Sequence, residues 1–157
     1  MQETEADLHE KERIYRRMVE QATDMIYIFD LEMRIVIFNK QTMDLFSALL
    51  YTKANGGSVP VEAEESRESF WKGKRLDEMM HPRDAGFMRK KIDEVLAKKK
   101  SISYEHTINP RGRQVRLSTK LIPIRDDFGE VHFVLGISRD MTEKMEMDQR
   151  IYDAEKL

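Results

Sequence analysis

The chain has 157 residues, 36% of them charged, a net charge of -2 at pH 7 and no cysteine. That length suits one domain with flanking helices and a core of its own. The lack of cysteine excludes disulfides, thiolate metal sites and cysteine chemistry, and the near-neutral charge gives no electrostatic ground for binding nucleic acid or an anionic membrane.

Leu8, Ile14, Tyr15, Met18, Val19 and Ala22 recur near helical spacing among charges and predict an amphipathic helix from about 6 to 22. Met25–Asp30 is a short apolar run rich in strand formers, and Arg34–Asn39 repeats the pattern after a turn at Leu31–Met33. A brief helix follows at Gln41–Phe46. From Ser47 to Trp71 periodicity is lost around Asn55-Gly-Gly-Ser58, so the segment from about 48 to 71 reads as an insertion, with a helix expected near Glu64–Trp71. Order returns at Gly73. Pro82 discourages helix at His81, and Phe87, Met88, Ile92, Val95 and Leu96 share one face of a helix that Arg83-Asp84 open. The lysines at 98–100 complement the negative end of its dipole.

Three strands close the chain: Ser101–Ile108, Arg113–Arg125 and Glu130–Ser138, the last two joined by a turn at Asp126–Gly129. Alternation puts Val115, Leu117, Thr119 and Leu121 on one face of the second, and Val134, Gly136 and Ser138 opposite Val131, Phe133, Leu135 and Ile137 in the third. Asp140 is placed to cap the outgoing helix, with Glu143 completing a capping box. Strands at both ends with helices between them predict an α+β domain, with helices on one face of an antiparallel sheet.

This order of elements resembles a PAS domain from about Tyr15 to Lys144. Phe29-Asp30 and Val36-Ile-Phe-Asn39 resemble the family's opening hairpin. Gly73-Lys-Arg-Leu-Asp-Glu-Met-Met-His-Pro-Arg-Asp84 resembles the approach to its main helix. Tyr104-Glu-His-Thr-Ile108 with Gly112 resembles its central hairpin, and Pro123-Ile-Arg-Asp126, Gly129, Gly136-Ile137 and Asp140-Met-Thr-Glu143 its last hairpin and exit. The resemblance implies a five-stranded sheet and a sensory, signal-transducing role. By similarity to flavin-binding relatives, it implies a ligand against Tyr27, Phe29, Met88, Ile92, Leu117, Thr119, Leu121, Val134, Gly136 and Ser138. Gly136 and Ser138 are small, so side chains alone would fill that face with difficulty. The segment from about 48 to 71 departs from the family's usual short connection.

The opposite face, Val131, Phe133, Leu135 and Ile137, is a stripe that needs covering. The N-terminal helix, through residues such as Met18, and a second copy of the chain are expected to share it. The main helix holds no His, Cys or Tyr, which argues against haem, and a photoadduct flavin needs a thiol. A non-covalent flavin or no cofactor at all stays open. His81 reads as a turn residue, His106 and His132 as polar strand residues, and no pair of histidines has metal-ligand spacing. If Glu105 and Thr107 face inward, they are polar handles of the pocket. No nucleophile–base pair, metal cluster or phosphate loop supports an enzyme.

Met141, Met145, Asp148 and Tyr152 approximate a heptad seam on the outgoing helix, with Asp140 and Thr142 at its root. The expected organisation is an N-terminal helix over 1–23, a PAS domain over 24–140 and the start of a linker helix over 141–157. The expected function is a sensor and dimerisation module of a larger signalling protein, such as a sensor histidine kinase, with an effector beyond Leu157. A ligand-free structural module and a flavin-binding redox sensor are the alternatives. No apolar run approaches the roughly 20 residues of a membrane span. A cytoplasmic location is therefore expected, with a membrane anchor in a longer parent left open.

Overall fold

The computed structural model describes residues 4–49, 69–109 and 113–156, with the side chains of 46–49 left aside. The first helix, α1 (Glu5–Gln21), starts with a capping box: Thr4 Oγ1 accepts from Asp7 N at 3.2 Å, and Thr4 N donates to the Asp7 carboxylate at 3.4 Å. Strand β1 (Met25–Asp30) buries every second residue. At its end Asp30 Oδ1 accepts from the amides of Glu32 and Arg34, each at 2.9 Å, which fixes the turn into β2 (Ile35–Phe38).

Helix α2 (Lys40–Leu49) follows, then the short α3 (Leu76–Met79) and the long α4 (Pro82–Lys98). His81 caps α4, its Nδ1 accepting from Arg83 N at 3.1 Å, and Pro82 occupies the first turn, where no amide proton is needed. The expectation that His81 serves the turn therefore holds. Strands β3 (Ile102–Ile108), β4 (Val115–Arg125) and β5 (Val131–Asp140) lead into α5 (Thr142–Glu155). At the β4–β5 turn, Gly129 takes a φ of 83°, a left-handed conformation that glycine adopts without strain.

The sheet is antiparallel, in the order β2-β1-β5-β4-β3. The helices α2, α3 and α4 lie against its inner face. Phe29, Ile35, Trp71, Leu76, Met79, Ile92, Val95, Leu121 and Val134 are fully excluded from water there. Burying one such side chain stabilises the fold by roughly 1.5–3 kcal/mol, so this layer dominates stability.

Four expectations are corrected. Trp71, assigned to the insertion, is a fully buried core residue; it closes a helical turn at 69–71, where a helix was expected near Glu64–Trp71, while residues 50–68 lie outside the described residues. Helix α3 had no expected element, because four residues are too few to show a period. The N-terminal helix does not cover the β5 stripe: α1 buries no residue, Met18 is 62% exposed, and its Tyr15 and Val19 line a groove with Val36, Ile37 and Phe38 of β2. The outgoing helix starts one residue later than expected, and the Glu143 half of the capping box is replaced by a different tie, described below.

Candidate ligand-binding site

The inner face is not filled uniformly. Toward the last turns of α4, Phe29, Ile92, Val95, Leu121 and Val134 interlock without exposure. Toward its first turn, a cavity of about 440 Å³ opens between α4, α2 and the sheet. Leu117, Ser138 and Tyr27 form its floor, Met80, Met88 and Leu45 its apolar wall, and Arg83, Asp84, Phe87, the end of β3 from His106 to Ile108 and the adjoining Asn109 its rim.

Of the residues expected to meet a ligand, Tyr27, Met88, Leu117 and Ser138 line this cavity. Thr119 is buried behind them. Phe29, Ile92, Leu121 and Val134 belong to the filled end and are core residues. Gly136 corrects the reasoning about small residues. It faces Tyr27 across the β1–β5 ladder, and a Cβ at Gly136 would fall 2.0 Å from the Tyr27 ring. The room that glycine leaves is taken by Tyr27, not by a guest.

The Tyr27 ring ends in a line of polar groups. Its hydroxyl lies 2.8 Å from Ser138 Oγ, which lies 2.8 Å from Thr119 Oγ1, which in turn lies 3.3 Å from His106 Nε2. Burial raises the Tyr27 hydroxyl to a pKa of about 12, so it stays a proton donor at physiological pH. Burial also pushes Tyr104 up, and it holds the His106 imidazole below its ordinary range. The Asp84 carboxylate works against that lowering, while Arg116 and Lys91 add to it. Phe87 stacks on His106 at 5.4 Å and meets Tyr104 edge-on at 5.6 Å, with Lys91 over the Tyr104 ring.

The inward residue on β3 is His106. Glu105 points outward and pairs with Arg116 at 3.0 Å, so it is not a pocket handle, whereas Thr107 reaches the rim. The buried Ile108 carried the signal: counting back by two from it places His106 and Tyr104 inside. Arg83 and Asp84 were missed because they were read only as the opening of α4, and Phe87 because it was read only as part of that helix's apolar face.

The root of α5 adjoins the cavity. Arg116, next to Leu117, holds α5 with both backbone groups: its N–H donates to Thr142 Oγ1 at 3.0 Å and its carbonyl accepts from Met141 N at 2.8 Å. Asp140, expected to cap the helix, instead ends β5 one residue before the cap position at Met141, and from there its carboxylate accepts from Thr142 N at 2.9 Å. Arg139 grips the Asp24 carboxylate with two hydrogen bonds, at 3.1 and 3.2 Å. Buried Asn39 donates to the carbonyls of Asp24 and Val19 and accepts from Ile26 N, tying the end of α1 to the same corner.

On the outer face, Val131, Leu135 and Ile137 are half-buried and Phe133 is 40% exposed. Ile26 and Ile28 of β1 and Ile122 and Ile124 of β4, also half-buried, extend the stripe across three strands. No helix among the described residues is long and apolar enough to cross a membrane, and no group of three or more His, Cys, Asp or Glu among them could hold a metal ion.

Comparison with solved structures finds the same fold repeatedly. The PAS domain of BvgS from Bordetella pertussis superposes with a TM-score of 0.64 at 20% identity, covering 94% of this chain and 98% of that one. A sensory box sensor histidine kinase from Vibrio cholerae gives 0.53 at 19% identity, covering 87% and 97%. VqmA from Vibrio cholerae, in a complex with ligand and DNA, gives 0.62 at 18% identity, covering 84% of this chain and 51% of that one. No curated protein matches the chain in sequence. The family described as PAS fold matches residues 19–146, and the chain therefore belongs to the PAS family.

Proposed function

We propose that this PAS sensory domain takes a small ligand into the cavity beside α4 and β3 and passes the effect to α5, as part of a larger signalling protein such as a sensor histidine kinase. The observation that carries the reading is the shared corner. Leu117 and Ser138 line the cavity, and the neighbouring Arg116 and Asp140 hold the first residues of α5. A ligand that shifts the floor shifts the anchor of the helix. It biases the outcome only by its difference in affinity between the two arrangements. Catalysis forms no part of this reading, and the expected setting is cytoplasmic, with the effector following α5.

A second copy of the chain is the proposed cover of the outer stripe. Four large apolar residues from β5, with their isoleucine neighbours on β1 and β4, supply the drive, and α1 then adds its exposed Leu8, Tyr15 and Met18 to the contact. Leu135→Asp is expected to turn a dimer into a monomer in analytical ultracentrifugation.

The ligand is tested by weighing the purified protein under native and denaturing conditions. Extra mass retained only in the native state, and lost in a Leu117→Trp variant that fills the cavity, supports the reading. A clean native mass together with an empty thermal-shift screen would favour a ligand-free interaction module.

A further inference from the structure

The floor of the cavity is a hydrogen-bonded line whose direction can be worked out. Each of the three hydroxyls, on Tyr27, Ser138 and Thr119, has one proton to give and two lone pairs to receive. A phenol gives up its proton more readily than an alcohol, and a bare imidazole nitrogen is the strongest acceptor in the line. With neutral His106 these preferences favour protons running from Tyr27 to Ser138, from Ser138 to Thr119 and from Thr119 to His106 Nε2. Ser138 then keeps a single lone pair, and His106, accepting at Nε2, carries its proton on Nδ1. Both residues line the cavity, so the wall offers an acceptor at one and a donor at the other.

Charge narrows the choice further. The groups acting on His106 are Asp84 and Lys91 of α4 and Arg116 of β4, with the hydroxyl of Thr119 and the ring of Tyr104 on the sheet. Arg83 and Asp84 at the rim lie 4.0 Å apart and answer each other, Lys91 sits over aromatic rings, and Arg116 is engaged by Glu105. The floor carries no formal charge, so an ionic ligand would lose its hydration with no opposite charge below it. A volume of about 440 Å³ holds a molecule of one or two fused rings.

We propose that the cavity selects a small uncharged ring compound with a hydrogen-bond donor and an acceptor on one edge, Ser138 taking the donor and His106 answering the acceptor. This deepens, and rests on, the ligand-binding reading above. Protonation of His106 reverses the line as far as Ser138: Nε2 now donates to Thr119 and Thr119 to Ser138, which still accepts from Tyr27 and so presents a proton where it had presented a lone pair. The preferred ligand therefore binds more weakly in acid.

Three bicyclic probes test this by NMR titration of the full chain: carbostyril, with a ring N–H beside its carbonyl; its N-methyl derivative, which lacks the donor; and naphthoate, which is anionic. Carbostyril is expected to bind about tenfold more tightly than either of the others, the loss that one unmet polar group causes. Its affinity is expected to fall as pH is lowered from about 7.5 into the range, below the ordinary value of about 6.5, where the buried imidazole takes up a proton. His106→Phe, which keeps the ring against Phe87, and Ser138→Ala should each bring carbostyril down to the level of its N-methyl derivative. Equal binding of carbostyril and the N-methyl compound, or an unchanged preference and pH profile in His106→Phe, overturns the proposal while leaving the cavity reading intact. Failure of all three probes in a protein that retains extra native mass rejects this ligand class alone, and failure with no retained mass rejects the cavity reading as well.

Discussion

The two ends of the inner sheet face are built from the same strands and the same helix, yet one is solid and the other hollow. At the solid end, Phe29, Ile92, Val95, Leu121 and Val134 meet with no exposure. At the hollow end, the strands present Ser138, Thr119 and His106, and the helix presents Arg83, Asp84 and a Phe87 that is 37% exposed. Apolar side chains of the right size close a gap by dispersion and by exclusion of water. Hydroxyls and an imidazole on neighbouring strands instead satisfy one another sideways and leave the space above them open. The solid end serves stability, and the hollow end lies beside the root of α5.

The largest expected contrast comes from one truncation at each end. Phe29→Ala should cost about 3–5 kcal/mol in urea denaturation, the usual loss for a large buried aromatic. Phe87→Ala should cost about 1 kcal/mol or less, because its ring already borders open space. Similar losses at both sites would mean that the cavity is closed in solution.

Gly136→Ala comes next, since its Cβ would strike the Tyr27 ring. It should cost about 1–3 kcal/mol. In a double-mutant cycle with Tyr27→Ser most of that loss should disappear, because the ring that it strikes is gone. Additive losses would separate Gly136 from Tyr27. At the root of α5, Asp140→Ala should cost about 1 kcal/mol and speed hydrogen exchange at Thr142 and Glu143, with β3 unaffected.

The smallest effect is pH-dependent. Burial holds the folded His106 imidazole below the unfolded value of about 6.5, so between the two values the unfolded chain binds more protons. Stability is therefore full above that window and is lost as pH falls through about 6.5 toward the lower folded value. His106→Gln should flatten this slope in thermal melts recorded across the window. An unchanged slope would place the titrating group elsewhere.

Much of the fold was legible in the residues. Alternation in Val115–Leu121 and in Val131–Ser138 gave the faces of β4 and β5 correctly, because a period of two leaves only two choices. The order of elements gave the family. The site was only half legible. Of the expected residues, Tyr27, Met88, Leu117 and Ser138 line the cavity, but alternation reports only which face a residue is on, and Phe29, Leu121 and Val134 share that face while lying at the solid end. Which end is hollow depends on how far helix side chains such as Ile92 reach, which no strand pattern records. Gly136 misled for a related reason: its missing side chain is offset by a ring from the neighbouring strand. The position of α1 was also beyond a single chain's pattern, since an amphipathic stripe says that a partner is needed and not where it sits.

The hollow and solid ends can be told apart in one NMR experiment on the methionine ε-methyl groups under xenon pressure, because xenon enters apolar space that protein atoms leave empty. Met80 and Met88 line the cavity, and Met79 lies in the solid core. The methyl resonances of Met80 and Met88 should shift with xenon pressure while that of Met79 stays in place. Shifts of equal size at all three, or none at Met88, would contradict the division on which the proposed site depends.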